Sequence, residues 1–178
     1  MRLDYPNLLP ECYVDTNLMQ YLLNGTVNHQ HSCTKVVGNL KNKFKDRFAV
    51  GVIDRDKVEL SYIRECDVVA ETEHLALLKH QSGSHYLITV APAIDKFILD
   101  NACALGIDTQ DYDIPSDLKG FTMMAKRVTS NKDEHFKKLF VAMKSAPEFV
   151  ALKRTIKYLL QATYQADEEK LKVLFSGY

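Results

Sequence analysis

The stretch Phe48-Ala-Val-Gly-Val-Ile-Asp-Arg-Asp56 decides the fold class. Its nearly continuous apolar residues are typical of a central strand in a parallel sheet that helices cover on both faces. The strand is expected to end at Asp54, and Arg55 separates this residue from a second aspartate. Because residues two apart in an extended chain point to the same side, Asp54 and Asp56 are expected to face a single site.

A second acidic strand end is expected earlier in the chain. The sequence Cys12-Tyr-Val14 predicts a short buried strand that ends at Asp15. A helix is expected over residues 17–23, and Ser32 is expected to cap a second helix that leads to the central strand. This order of strand, helix, helix and strand places acids at the carboxyl edge of a parallel sheet, where α/β proteins bind their ligands.

The rest of the chain predicts a hairpin followed by helices. Residues 75–78 and 85–91 are expected to form two strands around a Ser-Gly-Ser turn, and a helix is expected over 93–105. After a polar connector, apolar residues recur at helical spacing. We therefore expect an α/β domain over residues 1–115 and a C-terminal helical extension over residues 116–178, packed on the same core.

The composition is that of a chain that buries a core. The 178 residues are 46% hydrophobic and 26% charged, and 23 basic side chains balance 23 acidic ones. The balance hides an asymmetry, because residues 1–115 carry 11 basic and 16 acidic side chains, whereas residues 116–178 carry 12 and 7. Either the two parts attract each other within one fold, or the C-terminal part offers positive potential to a polyanion.

Several function classes are disfavoured by what the sequence lacks. No apolar run approaches the roughly 20 residues that cross a bilayer. Residues 1–11 lack the apolar region of a secretory signal, so we expect a cytoplasmic protein with no membrane partner. Four cysteines separated by 21, 33 and 37 residues predict reduced thiols rather than a disulfide framework. No glycine-rich phosphate-binding motif is present, which argues against P-loop and dinucleotide-binding proteins.

The aspartates at the strand ends are the part of the sequence that predicts chemistry. If Asp15, Asp54 and Asp56 share one crevice, their carboxylates repel each other and a cation relieves the repulsion. Carboxylate oxygens are hard ligands, which favour Mg²⁺ or Mn²⁺ over zinc. A bound ion of this kind polarises a phosphate and activates a water or hydroxyl in phosphoryl transfer. The alternative is that these aspartates only cap helices and form turns.

This plan resembles the Toprim domain of topoisomerases, primases and the overcoming-lysogenization-defect type nucleases. The matching pieces are Tyr13-Val-Asp15 and Val50-Gly-Val-Ile-Asp-Arg-Asp-Lys57. The stretch Val90–Leu99 is similar to a segment of small Toprim-like proteins of unknown role. The resemblance covers roughly residues 11–100. It implies a Toprim-like, Rossmannoid, three-layer α/β core with a mostly parallel sheet.

The resemblance also implies roles for individual residues. Asp54 and Asp56 would be metal ligands, and Asp95 would be a supplementary acid at the metal. Asp15 would occupy the position of the catalytic acid and base. The family has Glu followed by Gly at this first strand end, where the sequence has Asp15-Thr16.

The function predicted from these residues is a Mg²⁺- or Mn²⁺-dependent nuclease or phosphotransfer enzyme. It would act on the phosphodiesters of DNA or RNA, and Arg55 or Lys57 would hold a phosphate of the substrate. Since Asp15-Thr16 departs from the family pattern, the alternative is a catalytically inactive, Toprim-like binding or adaptor protein. Such a protein would use its C-terminal helices to bind partners.

Two further readings start from the first acidic motif and its neighbourhood. The stretch Tyr13-Val-Asp-Thr-Asn-Leu18 also looks like the opening of a PIN-type ribonuclease, a family that gathers carboxylates around Mg²⁺ as well. That family needs a late strand ending in another aspartate, and residues 100–178 predict no such strand. His29, His31 and Cys33 present donor atoms at alternate positions, which predicts either a zinc site or a solvated polar loop.

Overall fold

The computed structural model describes residues 3–55 and 61–177. Its strands are β1 (Leu3–Tyr5), β2 (Leu8–Pro10), β3 (Gly25–Val27), β4 (Ala49–Asp54), β5 (Cys66–Glu71), β6 (Leu75–His80) and β7 (His85–Val90). Its helices are α1 (Tyr13–Leu23), α2 (Cys33–Lys41), α3 (Ser61–Arg64), α4 (Ile94–Ala104), α5 (Leu118–Ala125), α6 (Glu134–Ala142), α7 (Pro147–Ala162) and α8 (Glu168–Ser176). Within the two described ranges, no helix is both long enough and apolar enough to span a membrane.

Five strands form one mixed sheet in the order β2-β4-β7-β6-β5. β2, β4 and β7 run parallel to one another, while β6 is antiparallel to both β7 and β5. The expected hairpin of β6 and β7 is confirmed, and Gly83, with a φ of 76°, supplies the left-handed residue of its turn. The expectation of a mostly parallel sheet is wrong, because this hairpin and the unpredicted strand β5 add two antiparallel pairings.

The first strand of the large sheet lies earlier than the sequence predicts. The prediction of a strand over residues 12–14 is wrong, and the strand is β2. Pro10 has no N–H to donate, and it fits in β2 because its backbone nitrogen faces away from β4. On the β4 side, Glu11 N donates to Val52 O, whereas Pro10 O accepts from Gln30 N on the other side. A proline at the edge of the sheet therefore costs no hydrogen bond to β4.

α1 begins four residues before the helix that was expected over residues 17–23. Cys12 is its N-cap: the thiol accepts from Asp15 N, and the Asp15 carboxylate accepts from Cys12 N. This reciprocal pair is a capping box, which satisfies two backbone donors of the first turn. The helix ends at Asn24, whose φ of 51° is the left-handed conformation typical of a helix stop. The prediction that Asp15 ends a strand is wrong, and this residue lies in the first turn of a helix.

Helices cover both faces of the large sheet. Val50 and Val52 of β4 pack in a core shared with α1, α4 and the C-terminal helices, while Ile53 on the opposite face packs with α2. Gly51 allows α2 to approach closely, because a Cβ at this position would lie 2.8 Å from Val36 Cγ1. The expectation that helices cover both faces of the central strand is confirmed.

The C-terminal helices belong to the larger of these two cores. Fully buried rings of this core come from α4 through α8, namely Phe97, Phe121, Phe136, Phe140, Phe149 and Phe175. Asn17 joins α1 to this region, because its Nδ2 donates to Ser130 O over 2.7 Å and to Asp133 O over 3.0 Å. The larger core thus continues across residue 115, and the division into residues 1–115 and 116–178 stays a prediction.

Candidate functional site

The carboxyl ends of β2 and β4 lie side by side and bring two acids together. Pro10 is the register partner of Val52, so Glu11 and Asp54 follow at the same edge of the sheet. Asp54 N donates to Glu11 Oε2 over 3.1 Å, and the two residues are only 5% and 4% exposed. The parallel pairing of β2 and β4 therefore places two buried carboxyl groups at one end of the sheet.

Asp15 is the third carboxyl group at this place. It projects from the first turn of α1 and is 1% exposed. Its Oδ2 accepts from Cys12 N over 3.0 Å. Among the described residues, its Oδ1 has no hydrogen-bond partner. We call Glu11, Asp15 and Asp54 the acidic cluster.

Burial and neighbouring carboxyl groups oppose the ionisation of Asp15. Burial raises the pKa of Asp15 well above its usual range, and the charges of Asp54 and Glu11 raise it further. Hydrogen bonds with Cys12 act in the opposite direction without reversing the shift. Burial, followed by the charge of Asp15, also raises the pKa of the Cys12 thiol. A cation among these groups would favour the ionised form of the carboxyl groups.

Asp54 connects the acidic cluster to the start of α4. Its Oδ1 accepts a hydrogen bond from Ile94 N over 2.9 Å. The first turn of a helix carries unpaired N–H groups and favours negative charge, so this contact holds the carboxylate in one orientation. The side chain of Asp54 is therefore positioned by the strand that carries it and by the helix that it caps.

A cavity of about 350 Å³ opens beside Asp54. Cys12 and Asp54 line it from the strand ends, and Asp95 lines it from the first turn of α4. Asp95 Oδ2 accepts from Thr122 Oγ1 of α5 over 2.6 Å. Two of the predicted metal ligands, Asp54 and Asp95, therefore share one cavity, and Asp15 interacts electrostatically with the first of them.

The structure places the other predicted site residues elsewhere or does not describe them. Arg55 Nη1 lies 3.8 Å from Glu71 Oε1, and both side chains are more than half exposed. Arg55 also lines a different cavity, of about 280 Å³, with Glu71 and Cys66. Asp56 and Lys57 lie outside the described residues, so their roles as metal ligand and phosphate-binding residue stay predictions.

Glu11 is the member of the acidic cluster that the sequence analysis misses. Proline commonly lies outside strands, so Pro10 indicates that the strand begins after it. The sequence does contain a signal for Glu11. The apolar pair Leu8-Leu9 directly precedes Pro10, and an edge strand can contain a proline, so a strand over these residues would place Glu11 at its end.

A second buried carboxylate is surrounded by hydrogen-bond donors. Glu148, at the start of α7, accepts from Thr72 Oγ1, from His74 N (2.9 Å) and Nδ1 (2.8 Å), and from Asn101 Nδ2 (3.0 Å). Burial raises the pKa of Glu148, but these hydrogen bonds outweigh it and the pKa is lowered. We call Thr72, His74, Asp100, Asn101 and Glu148 the Glu148 network.

His74 lies between the two carboxylates of the Glu148 network. Its Nδ1 faces Glu148 and its Nε2 lies 3.0 Å from Asp100 Oδ2, so both ring nitrogens meet a carboxylate. Burial lowers the pKa of His74, but the hydrogen bonds with Glu148 and Asp100 outweigh it and raise the pKa. Asp100 also accepts from Lys96 Nζ. Each acid of the network thus has a cation or several donors beside it.

The zinc site, one of the alternatives for residues 29–33, is not assembled. His29 Nε2 and His31 Nδ1 are 3.0 Å apart, and Thr16 Oγ1 lies 2.8 Å from His29 Nδ1. Cys33 instead packs in the core between α2 and the sheet. Within residues 3–55 and 61–177, no three His, Cys, Asp or Glu side chains are arranged to hold a metal ion. The described part of the chain therefore supplies an incomplete metal-ligand set.

Comparison with known proteins gives no match. No protein-family model, no curated protein and no solved structure matches the chain. The function is therefore inferred from the geometry of this chain.

Proposed function

We propose that this protein is a Mg²⁺- or Mn²⁺-dependent enzyme that cleaves or transfers the phosphodiesters of nucleic acids, with its reaction centre at the acidic cluster. The observation that carries this proposal is the buried position of Asp15 beside other carboxyl groups. Asp15 is a fully buried acid with an oxygen that lacks a partner among the described residues, and the charges of the Asp54 and Glu11 carboxyl groups act on it. Burying an ionised carboxylate without compensation is unfavourable by several kcal/mol, which a cation offsets.

The acidic cluster fits a magnesium ion in its donor type. Carboxylate oxygens are the ligands that Mg²⁺ prefers, and the ion commonly uses one or two carboxylates together with water and substrate phosphate. Asp54 and Glu11 would supply the carboxylates, with Asp56 as the next candidate along the chain. Because water and substrate phosphate complete the coordination of Mg²⁺ in such sites, two carboxylates from the described residues are sufficient.

The residues of the acidic cluster are held in place before any substrate arrives. Glu11 accepts from Asp54 N, and Asp54 accepts from Ile94 N, so neither carboxylate needs to reorient on binding. Asp15 gives up its proton less readily than an ordinary carboxyl group, and it sits where an added positive charge would lower its pKa. When bound, Mg²⁺ would polarise a phosphate and activate the attacking water or hydroxyl.

The corrected position of the first strand supports a Toprim-like active centre. The Toprim family has a glutamate at the end of its first strand. In this structure the corresponding strand is β2, and the residue that follows it is Glu11; Asp15 lies further along, in α1. Asp54 ends the neighbouring strand β4, as the resemblance implies. Cys12 occupies the place of the family's glycine and serves as the N-cap of α1. The reason for expecting an inactive adaptor, Asp15-Thr16 in place of Glu-Gly, is thereby weakened.

The PIN-type alternative finds less support. It requires a late strand that carries a further aspartate. Within residues 91–177, the chain contains helices and turns and no strand. We therefore favour the Toprim-like reading of the acidic cluster.

A cleavage assay tests the proposed function. Fluorescein-labelled single-stranded and duplex DNA and RNA are incubated with the protein and millimolar Mg²⁺ or Mn²⁺. We expect a metal-dependent cleavage or transfer product that is lost in Asp54→Asn and Glu11→Gln, since each amide keeps an oxygen acceptor but removes a charge. Glu134→Gln, at an exposed position of α6, is the matched control and should retain activity.

Two results would overturn this function. Unchanged activity in both Asp54→Asn and Glu11→Gln would place the reaction elsewhere in the molecule. A folded wild-type protein that produces no product from any of the substrates would leave the adaptor alternative.

A further inference from the structure

The cavity beside Asp54 joins the strand ends to the C-terminal helices. α5 contributes Leu118 and Thr122 to its lining, and Lys126, which caps the C-terminus of α5, lines it as well. Lys96, from the first turn of α4, lines the same space. A cavity of about 350 Å³ is within the size range of small-ligand sites. One space is therefore lined both by two acidic residues, Asp54 and Asp95, and by two lysines.

The opposite charges in this cavity do not neutralise each other directly. Lys96 Nζ pairs with Asp100 of the Glu148 network, and among the described residues Lys126 forms no ion pair. Neither lysine is paired with Asp54 or Asp95 in the described part of the chain. Since side chains of both signs line this cavity, it suits a ligand that carries both signs. A divalent cation bound to a phosphate has this charge distribution.

We propose that Lys126 and Lys96 bind the phosphate groups of a polynucleotide strand whose reacting phosphodiester lies at the acidic cluster. This inference rests on the proposed function and assigns substrate binding to α5, outside the residues that resemble Toprim. It replaces Arg55 as the phosphate-binding cation, since Arg55 faces Glu71 and a different cavity. Lysine binds phosphate as a compact point charge and does not require a fixed bidentate geometry.

Exposed side chains next to Lys126 favour a polynucleotide over a small phosphate ester. Arg127 directly follows Lys126 and is exposed, and it lines a second surface cavity with Met123, Asp113 and Asp133. Met123 and Val128 are 64% and 68% exposed, so apolar contacts for bases lie close in sequence to cations for phosphates. Residues 116–178 carry more basic than acidic side chains, and one explanation of this excess is that the C-terminal part binds a polyanion. The proposal adopts that explanation.

Oligonucleotide binding without metal separates this inference from catalysis. The anisotropy of a fluorescein-labelled single-stranded oligonucleotide is measured in EDTA over a series of salt concentrations. We expect Lys126→Glu to weaken binding about tenfold and to reduce the slope of log K against log salt by about one. Lys96→Ala should weaken binding to a smaller extent, because Lys96 is also paired with Asp100. Lys153→Glu, an exposed change of the same charge on α7 outside the cavity, should bind like the wild type.

The outcomes distinguish the two proposals. Asp54→Asn should keep oligonucleotide binding in EDTA while losing cleavage. If Lys126→Glu binds as tightly as the wild type, or no more weakly than Lys153→Glu, the inference is wrong whatever the cleavage assay gives. Displacement of the oligonucleotide by an equal concentration of a mononucleotide would also overturn it, since the ligand would be a small phosphate ester. Lysine-dependent binding without cleavage would refute only the catalytic function.

Discussion

Two buried groups of carboxylates lie in this molecule, and their surroundings differ. In the Glu148 network, one glutamate accepts four hydrogen bonds, one of them from the His74 imidazole, and its pKa is lowered. In the acidic cluster, Asp15 lies beside two further carboxyl groups, and its pKa is raised. The first arrangement joins α7 to α4 and to the turn before β6. In the second, burial and neighbouring carboxyl groups disfavour the ionised form of Asp15, and strongly shifted pKa values of this kind cluster at functional sites.

The largest difference between the two groups should appear when their central acids are removed. Glu148→Ala leaves Thr72, His74 and Asn101 without their shared acceptor, so we expect a loss of about 3 kcal/mol in the free energy of unfolding. Urea denaturation followed by circular dichroism measures it. Glu134→Ala, at an exposed position of α6, is the control and should change stability by less than about 0.5 kcal/mol. A loss in Glu148→Ala as small as that of the control would remove the structural role of the network.

The pH dependence of stability should be carried by His74. Its folded pKa is raised, so its contribution is complete below its unfolded pKa of about 6.5 and is lost as the pH rises through the folded pKa. Glu148 and Asp100 act in the opposite sense, because their lowered pKa values make their contribution disappear as the pH falls through the folded values.

The measurement for His74 is the free energy of unfolding of wild type and His74→Gln over a range of pH. The advantage of the wild type should shrink by about 1.5 kcal/mol between mildly acidic and alkaline pH, as the hydrogen bonds to a charged ring are lost. A difference between the two proteins that does not vary with pH would show that His74 is neutral in the folded protein.

Asp15→Asn should have the opposite sign from Glu148→Ala. The amide keeps an oxygen acceptor for Cys12 N and removes a charge that burial and Asp54 oppose. Without divalent metal, we expect the variant to be more stable than wild type by about 1 kcal/mol at pH above the folded pKa of Asp15. The gain should vanish as the pH falls below the unfolded pKa of an aspartate. A variant destabilised as much as Glu148→Ala would mean that Asp15 is a structural acid.

The elements that sequence predicts well are those whose signals are local. β4 is a continuous apolar run that ends in charges, and Ser32 caps α2 as expected, with its side chain accepting from Lys35 N. β5 goes unpredicted because its burial does not alternate: a register shift between Val68 and Ala70 breaks the period of two. The predicted start of α1 is too late because Pro10 suggests that no strand precedes it, which moves the predicted strand into the first turn of the helix. Pro10 is tolerated in β2 because this strand lies at the edge of the sheet.

The candidate site was predictable in part for the same reason. Asp54 follows directly from the end of β4, and its neighbour in space, Glu11, follows from β2 once that strand is placed correctly. The contact between Asp54 and Ile94 and the bond between Asp95 and Thr122 join segments far apart in sequence. No periodicity or motif encodes such contacts. They depend on how α4 and α5 pack against the strand ends.

The most direct test of the difference between the two groups is the effect of Mg²⁺ on thermal stability. Wild type, Asp54→Asn and the exposed control Glu134→Gln are melted with EDTA and with millimolar MgCl₂. If the acidic cluster binds the ion, wild type and Glu134→Gln should gain about 3 °C in Tm, because a ligand that binds only the folded state stabilises it. Asp54→Asn should gain nothing. Equal gains in all three proteins, or none in wild type, would contradict a cation site at the ends of β2 and β4.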